Sequence, residues 1–72
     1  MPYIHVTIAK GRSSDERKAL MAALANAAHE TIGAPLPTVR VWITECEVAD
    51  MSIAGVPLDE VRARRAAGDH SL

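Results

Sequence analysis

What most constrains this chain is a pair of alternating apolar segments on either side of one capped helical stretch. Over Tyr3–Ala9, the residues Ile4, Val6 and Ile8 share one face while Tyr3, His5 and Thr7 share the other, the period of a strand covered on one side. Lys10, Gly11 and Arg12 break that pattern. Ser13, followed three positions later by Glu16, then has the spacing of a capping box, in which each side chain accepts from a free backbone N–H at a helix start. The predicted helix carries Leu20, Met21, Leu24, Ala27, Ala28, Thr31 and Ile32 at helical spacing and stops at Gly33, with Pro35 barring its continuation. Over 39–46 the alternation returns, with Val39, Val41 and Ile43 opposed to Arg40, Trp42 and Thr44. A strand, a helix and a strand in that order predict a parallel pair with a right-handed crossover, the β-α-β unit of an α+β fold. Its inner face rests on the helix. The outer face, bearing Tyr3, His5, Thr7, Arg40 and Trp42, has no element of the chain left to cover it, so another subunit is the expected cover.

Beyond Glu45, the apolar patch Met51, Ser52, Ile53 and Ala54, with Gly55 and Pro57 after it, predicts a short C-terminal hairpin. Residues 62–72, rich in Arg, Ala, Gly and Asp, are expected to form a loose tail with at most one helical turn. The whole of 1–72 is read as a single domain without repeats. A chain of 72 residues buries too little surface to be stable comfortably alone. With Cys46 its only cysteine, it has no intramolecular disulfide, and no Cys/His spacing suggests a structural zinc. Self-association is the remaining staple. The net charge of -1 gives no global attraction to nucleic acid or to an anionic membrane. The first ten residues lack the basic region and unbroken apolar stretch of a secretory signal, and no apolar run spans a bilayer, so a cytoplasmic location is expected.

Pro2 is the position with the most chemical content. Initiator methionine is commonly removed ahead of proline, which exposes a secondary amine at the start of a strand. An α-amino group has a pKa of about 7.7–8.0, and burial or nearby cations lower it, giving a base suited to moving a proton near neutral pH. Arg12, in the turn after the first strand, and Arg40, on the outer face of the second, are candidate carboxylate binders, because a guanidinium offers a planar bidentate fork. Two such cations near Pro2 serve substrate binding and base tuning together. The plainer alternatives are a solvated loop charge for Arg12, a surface ion pair with Glu45 or Glu47 for Arg40, and no role at all for a second-position proline.

Taken in order, Pro2, GRSSDERK at 11–18, the helix, GAPLPTVRVWITE at 33–45 and SIAG at 52–55 resemble the 4-oxalocrotonate tautomerase subgroup of the tautomerase superfamily. The resemblance covers residues 2 to about 60. It implies a β-α-β fold with a short hairpin, paired into dimers and assembled as a homohexamer, a trimer of dimers, with no cofactor. It also implies that Pro2 is the general base, that Arg40 polarises the 2-keto or 2-hydroxy acid end, and that Arg12 holds the distal carboxylate, the arginines arriving from neighbouring subunits. The reaction implied is keto-enol tautomerisation of a small unsaturated carboxylate such as 2-hydroxymuconate, whose developing dienolate charge the arginines stabilise. Met51 stands where this group usually places a phenylalanine beside the proline, a substitution of one apolar wall by a less rigid one. The segment DMSIAG also resembles the proline-supplying subunit of heterohexameric trans-3-chloroacrylic acid dehalogenase. Ile53, however, occupies the position sought for a water-activating glutamate. The alternative functional reading is therefore a subunit that completes a partner's site in a heterohexameric tautomerase or a dehalogenase-like hydratase.

Other residues carry less. His5, His29 and His70 lie on different elements and do not form a ligand set, and Cys46 has no evident base to activate it. Arg62, Arg64 and Arg65 are read as part of the solvated tail, with a pocket rim as the alternative. Trp42 is read as interface packing or as a substrate stack beside Arg40.

Overall fold

The computed structural model describes residues 2–71. The expected removal of Met1 falls outside them. Strand β1, Tyr3–Ala9, and strand β2, Arg40–Cys46, pair in parallel with Tyr3 opposite Arg40, His5 opposite Trp42 and Thr7 opposite Thr44. Between them runs helix α1, Ser14–Ile32. A 3-10 turn over Leu36–Thr38 leads into β2, and a second over Val48–Asp50 leads out of it. The chain then forms the antiparallel strands β3, Ser52–Ile53, and β4, Val56–Pro57, and closes with helix α2, Leu58–Ala66.

Both ends of α1 are fixed by the residues the sequence singled out. The Ser13 hydroxyl accepts from the Glu16 N–H at 3.1 Å, and the Glu16 carboxylate accepts from the Ser13 N–H at 3.0 Å. At the other end Gly33 adopts φ 71°, a left-handed conformation, and donates its N–H to the His29 carbonyl at 3.1 Å. Leu20, Met21, Leu24 and Ala28 are half-buried as the helical spacing requires, whereas Ala27, Thr31 and Ile32 are exposed. In the last turn Ile32 is 69% exposed, so its apolar side chain is left uncovered.

Of the stretch expected as a loose tail over 62–72, residues 62–66 lie instead inside α2. Asp59 and Glu60 occupy the first turn of that helix and Arg64 and Arg65 the last, an arrangement that complements the helix dipole. Arg64 donates to Glu60 at 3.1 Å, four residues back. Val61 anchors α2 and is 1% exposed, the one fully buried side chain among the described residues.

Everything else is half-covered or bare. The outer face of β1 and β2 carries Tyr3, His5, Thr7, Arg40, Trp42 and Thr44, all exposed. There the His5 ring stacks on Trp42 with centroids 5.2 Å apart, Tyr3 meets Trp42 edge-on at 6.3 Å, and His5 Nε2 lies 2.8 Å from the Thr44 hydroxyl. The chain exposes 4991 Å², against roughly 4,300 Å² for a compact monomer of this mass. Its radius of gyration is 15.9 Å, where about 11 Å suits 72 folded residues, and its longest extent is 46 Å. The apolar surface of one copy is therefore arranged for burial against another. No helix of the described residues is long and apolar enough to cross a membrane.

Candidate active site

Parallel pairing puts the starts of the two strands side by side. Pro2, half-buried, lies immediately before β1, and its carbonyl accepts the Arg40 backbone N–H at 3.0 Å. The strand ladder thus ties the Pro2 carbonyl to the backbone of Arg40. Arg40 Nη1 donates to the Pro37 carbonyl at 2.7 Å, which folds the exposed arm over the preceding 3-10 turn. Trp42 follows two residues along on the same face. One chain thus sets the backbones of Pro2 and Arg40 side by side, while the Arg40 guanidinium is held on Pro37.

Arg12 lies elsewhere. It follows the far end of β1, and Pro2 and Lys10 are separated by the whole strand, roughly 26 Å at about 3.3 Å per residue. Lys10 donates its N–H to the Cys46 carbonyl at 2.8 Å, closing the ladder there. Gly11, at φ 129°, then turns the chain into α1 through a conformation that a side chain disfavours. Met51 and Ile53 also lie beyond the Cys46 end of β2. The Met51 carbonyl accepts from the Leu58 N–H at 2.7 Å, which docks the hairpin against the start of α2. Ile53 pairs with Val56 across the hairpin and is 38% exposed. One copy therefore holds the five predicted site residues in two groups, at opposite ends of its sheet.

The Arg12 end contains an open cleft of about 560 Å³ between the β1–α1 turn and α2. Lys10, Arg12, Arg17 and Arg62 line it, with Glu16 its one acidic lining residue. Three of these cations already have carboxylates. Lys10 meets Glu47 at 2.9 Å, a contact that raises its pKa above the ordinary lysine value. Arg17 reaches Glu45 at 3.7 Å and donates to the Arg12 carbonyl at 2.6 Å. Arg12 approaches Glu16 at 3.4 Å. Glu16 is shared, since the Ser13 N–H and hydroxyl hold its carboxyl below the usual carboxylate range before the Arg12 charge adds to the effect. Arg62, for which a pocket rim was the alternative to a solvated tail, lines the cleft from α2, a helix the sequence reading did not place. The available signal was the sequence Pro57-Leu58-Asp59-Glu60, a proline and two acids opening a helix that ends in arginines.

The family model described as tautomerase enzyme matches residues 2–60. A 2-hydroxymuconate tautomerase of Comamonas testosteroni is 36% identical over 61 residues, which cover 85% of this chain and 97% of that protein. Among solved structures, TomN, a 4-oxalocrotonate tautomerase homologue of the tomaymycin biosynthetic pathway, superposes with a TM-score of 0.83 at 41% identity, covering 94% of this chain and 100% of that one. A heterohexameric 4-oxalocrotonate tautomerase from Chloroflexus aurantiacus superposes with a TM-score of 0.81 at 31% identity, covering 86% of this chain and 100% of that one. With the same order of elements, and with the family's match beginning at the proline that opens β1, the chain belongs to the tautomerase family, in its 4-oxalocrotonate tautomerase subgroup, and is an isomerase.

Proposed function

We propose that the protein catalyses cofactor-free keto-enol tautomerisation of a small unsaturated 2-hydroxy or 2-keto carboxylate such as 2-hydroxymuconate. Pro2, freed of Met1, is the general base. The observation that supports this reading is the position of Pro2, half-buried at the head of β1, where its carbonyl takes the Arg40 backbone N–H at 3.0 Å. An arginine brought to that amine by a neighbouring subunit disfavours a second positive charge on it, and a neutral amine can accept the proton lost from the 2-hydroxyl or from carbon. Arg40 stabilises the negative charge that develops on the dienolate oxygen. Arg12 takes the distal carboxylate and arrives from another subunit, since its own copy holds it a strand length from Pro2. Met51 and Ile53, which lie at the same far end as Arg12 in their own copy, arrive with another subunit and supply the apolar wall that excludes water from the reacting end. The 2-hydroxymuconate tautomerase named among the relatives supports this choice of substrate class.

The bare outer face of the sheet and the exposed Ile32 at the end of α1 support assembly into a homohexamer of three dimers. In the assay, 2-hydroxymuconate ketonises faster with the protein than without it. Pro2→Ala lowers kcat/KM about a hundredfold or more, the usual scale of a lost general base. Intact mass confirms in both proteins that Met1 is absent. Equal rates for the two would end the proline reading.

The heterohexameric structural relative favours a second reading, in which this chain completes a partner's site. Native mass spectrometry of the protein expressed alone separates the two: a stable hexamer supports the first, and incomplete assemblies support the second.

A further inference from the structure

The Arg40 guanidinium is aimed by its own chain. The Arg40 backbone N–H goes to the Pro2 carbonyl at 3.0 Å, and Nη1 donates to the Pro37 carbonyl at 2.7 Å. The direction of that second carbonyl is set by the 3-10 turn Leu36–Thr38. It is a turn the local sequence resists, because Pro37 disfavours helical backbone at Leu36 before it and, like Pro35, has no N–H to give. What holds it is the Pro35 carbonyl, which accepts the Thr38 N–H at 2.9 Å and the Thr38 hydroxyl at 2.7 Å. One residue earlier, His29 Nδ1 donates to the Ala34 carbonyl at 2.7 Å, tying the start of the turn to the end of α1.

From this we infer that Thr38 is a positioning residue for Arg40: its hydroxyl locks the turn whose Pro37 carbonyl aims the guanidinium, and His29 anchors that turn to α1. The inference rests on the tautomerase reading for what Arg40 does, and on these bonds alone for how it is aimed. A guanidinium carries its N–H donors in one fixed plane, so giving Nη1 to Pro37 sets the plane in which the others meet an oxyanion. Under the tautomerase reading the arginine reaches the amine of a neighbouring subunit. A long side chain that crosses between copies serves the transition state best when its rotamers are chosen beforehand, since freedom lost at the moment of reaction raises the barrier. Without the Thr38 hydroxyl the turn opens more readily, the Pro37 carbonyl swings, and Arg40 samples poses that miss the developing charge.

The test uses Thr38→Val, which keeps the branched shape and the backbone N–H but removes the hydroxyl. With 2-hydroxymuconate as substrate, kcat is expected to fall by about threefold to tenfold, the scale of one neutral hydrogen bond. KM stays within about twofold, because the charge that Arg40 meets develops only in the transition state. Thr38→Ser restores kcat. In an Arg40→Gln protein the same Thr38→Val change alters kcat by less than about twofold, since the hydroxyl then has no guanidinium to aim. NMR relaxation of the Arg40 Nε–H supplies a readout that needs no turnover: its order parameter falls in Thr38→Val and recovers in Thr38→Ser. If Thr38→Val does not assemble by native mass spectrometry, His29→Ala, which loosens the turn from its other end, takes its place with a loss in the same direction. An unchanged kcat or an unchanged order parameter, a loss that serine does not restore, or an equal loss in the Arg40→Gln protein each overturns the inference. A wild type that does not ketonise 2-hydroxymuconate overturns the tautomerase reading instead, and leaves the Arg40 order parameter to decide the role of Thr38.

Discussion

Ala54 is the one described non-glycine residue with positive φ, at 52°, and Gly55 follows at 81°. Together they form the two-residue loop between β3 and β4, where both central positions need left-handed backbone. Gly55 meets that need freely. Ala54 meets it against its Cβ, a strain of about 1 kcal/mol. Ala54→Asn should therefore raise the thermal midpoint at fixed protein concentration, by the equivalent of about 1 kcal/mol, because asparagine tolerates this region better. A lower midpoint would show that the alanine methyl packs usefully in the assembly. The loop lies between Ile53 and Val56, so its strain is kept within a residue of the proposed apolar wall.

At the scale of elements, α2 is held by one buried contact. Val61→Ala removes two methyl groups from that point and should cost about 2 kcal/mol, transfer and cavity terms together. The loss should be local. Hydrogen exchange is expected to quicken over 58–66 while the paired amides of β1 and β2 keep their protection, and uniform acceleration would mean that α2 and the sheet unfold as one unit. How clearly each element can be read in the sequence follows from the same physics. β1, α1 and β2 were legible because alternation and the Ser13–Glu16 box are local signals that the structure satisfies directly. α2 was missed because a run of arginines and alanines has little apolar periodicity; its helix depends on end charges, the Glu60–Arg64 pair and one valine. Pro2, Arg12 and Arg40 were legible as residue types in order. Their grouping into two distant ends was not, since it depends on strand length and parallel register.

For the whole molecule, the decisive quantity is uncovered surface. An exposed ladder of Tyr3, Trp42 and His5 is costly in water and favourable between subunits. Trp42→Glu places a charge at its centre and is expected to shift native mass spectra from the proposed hexamer to smaller species, with turnover lost in parallel. A hexamer of normal stability would locate the interface elsewhere. Under the proposed roles, β1 carries an amine at one end and leads to a guanidinium at the other, and the two ends serve different sites. After a gene duplication, selection acts on those ends separately. One descendant is free to lose its arginine and the other its proline, provided the two are made together. On those roles, the length of one strand, by keeping the two ends apart, also gives a self-sufficient enzyme a route to an obligate pair.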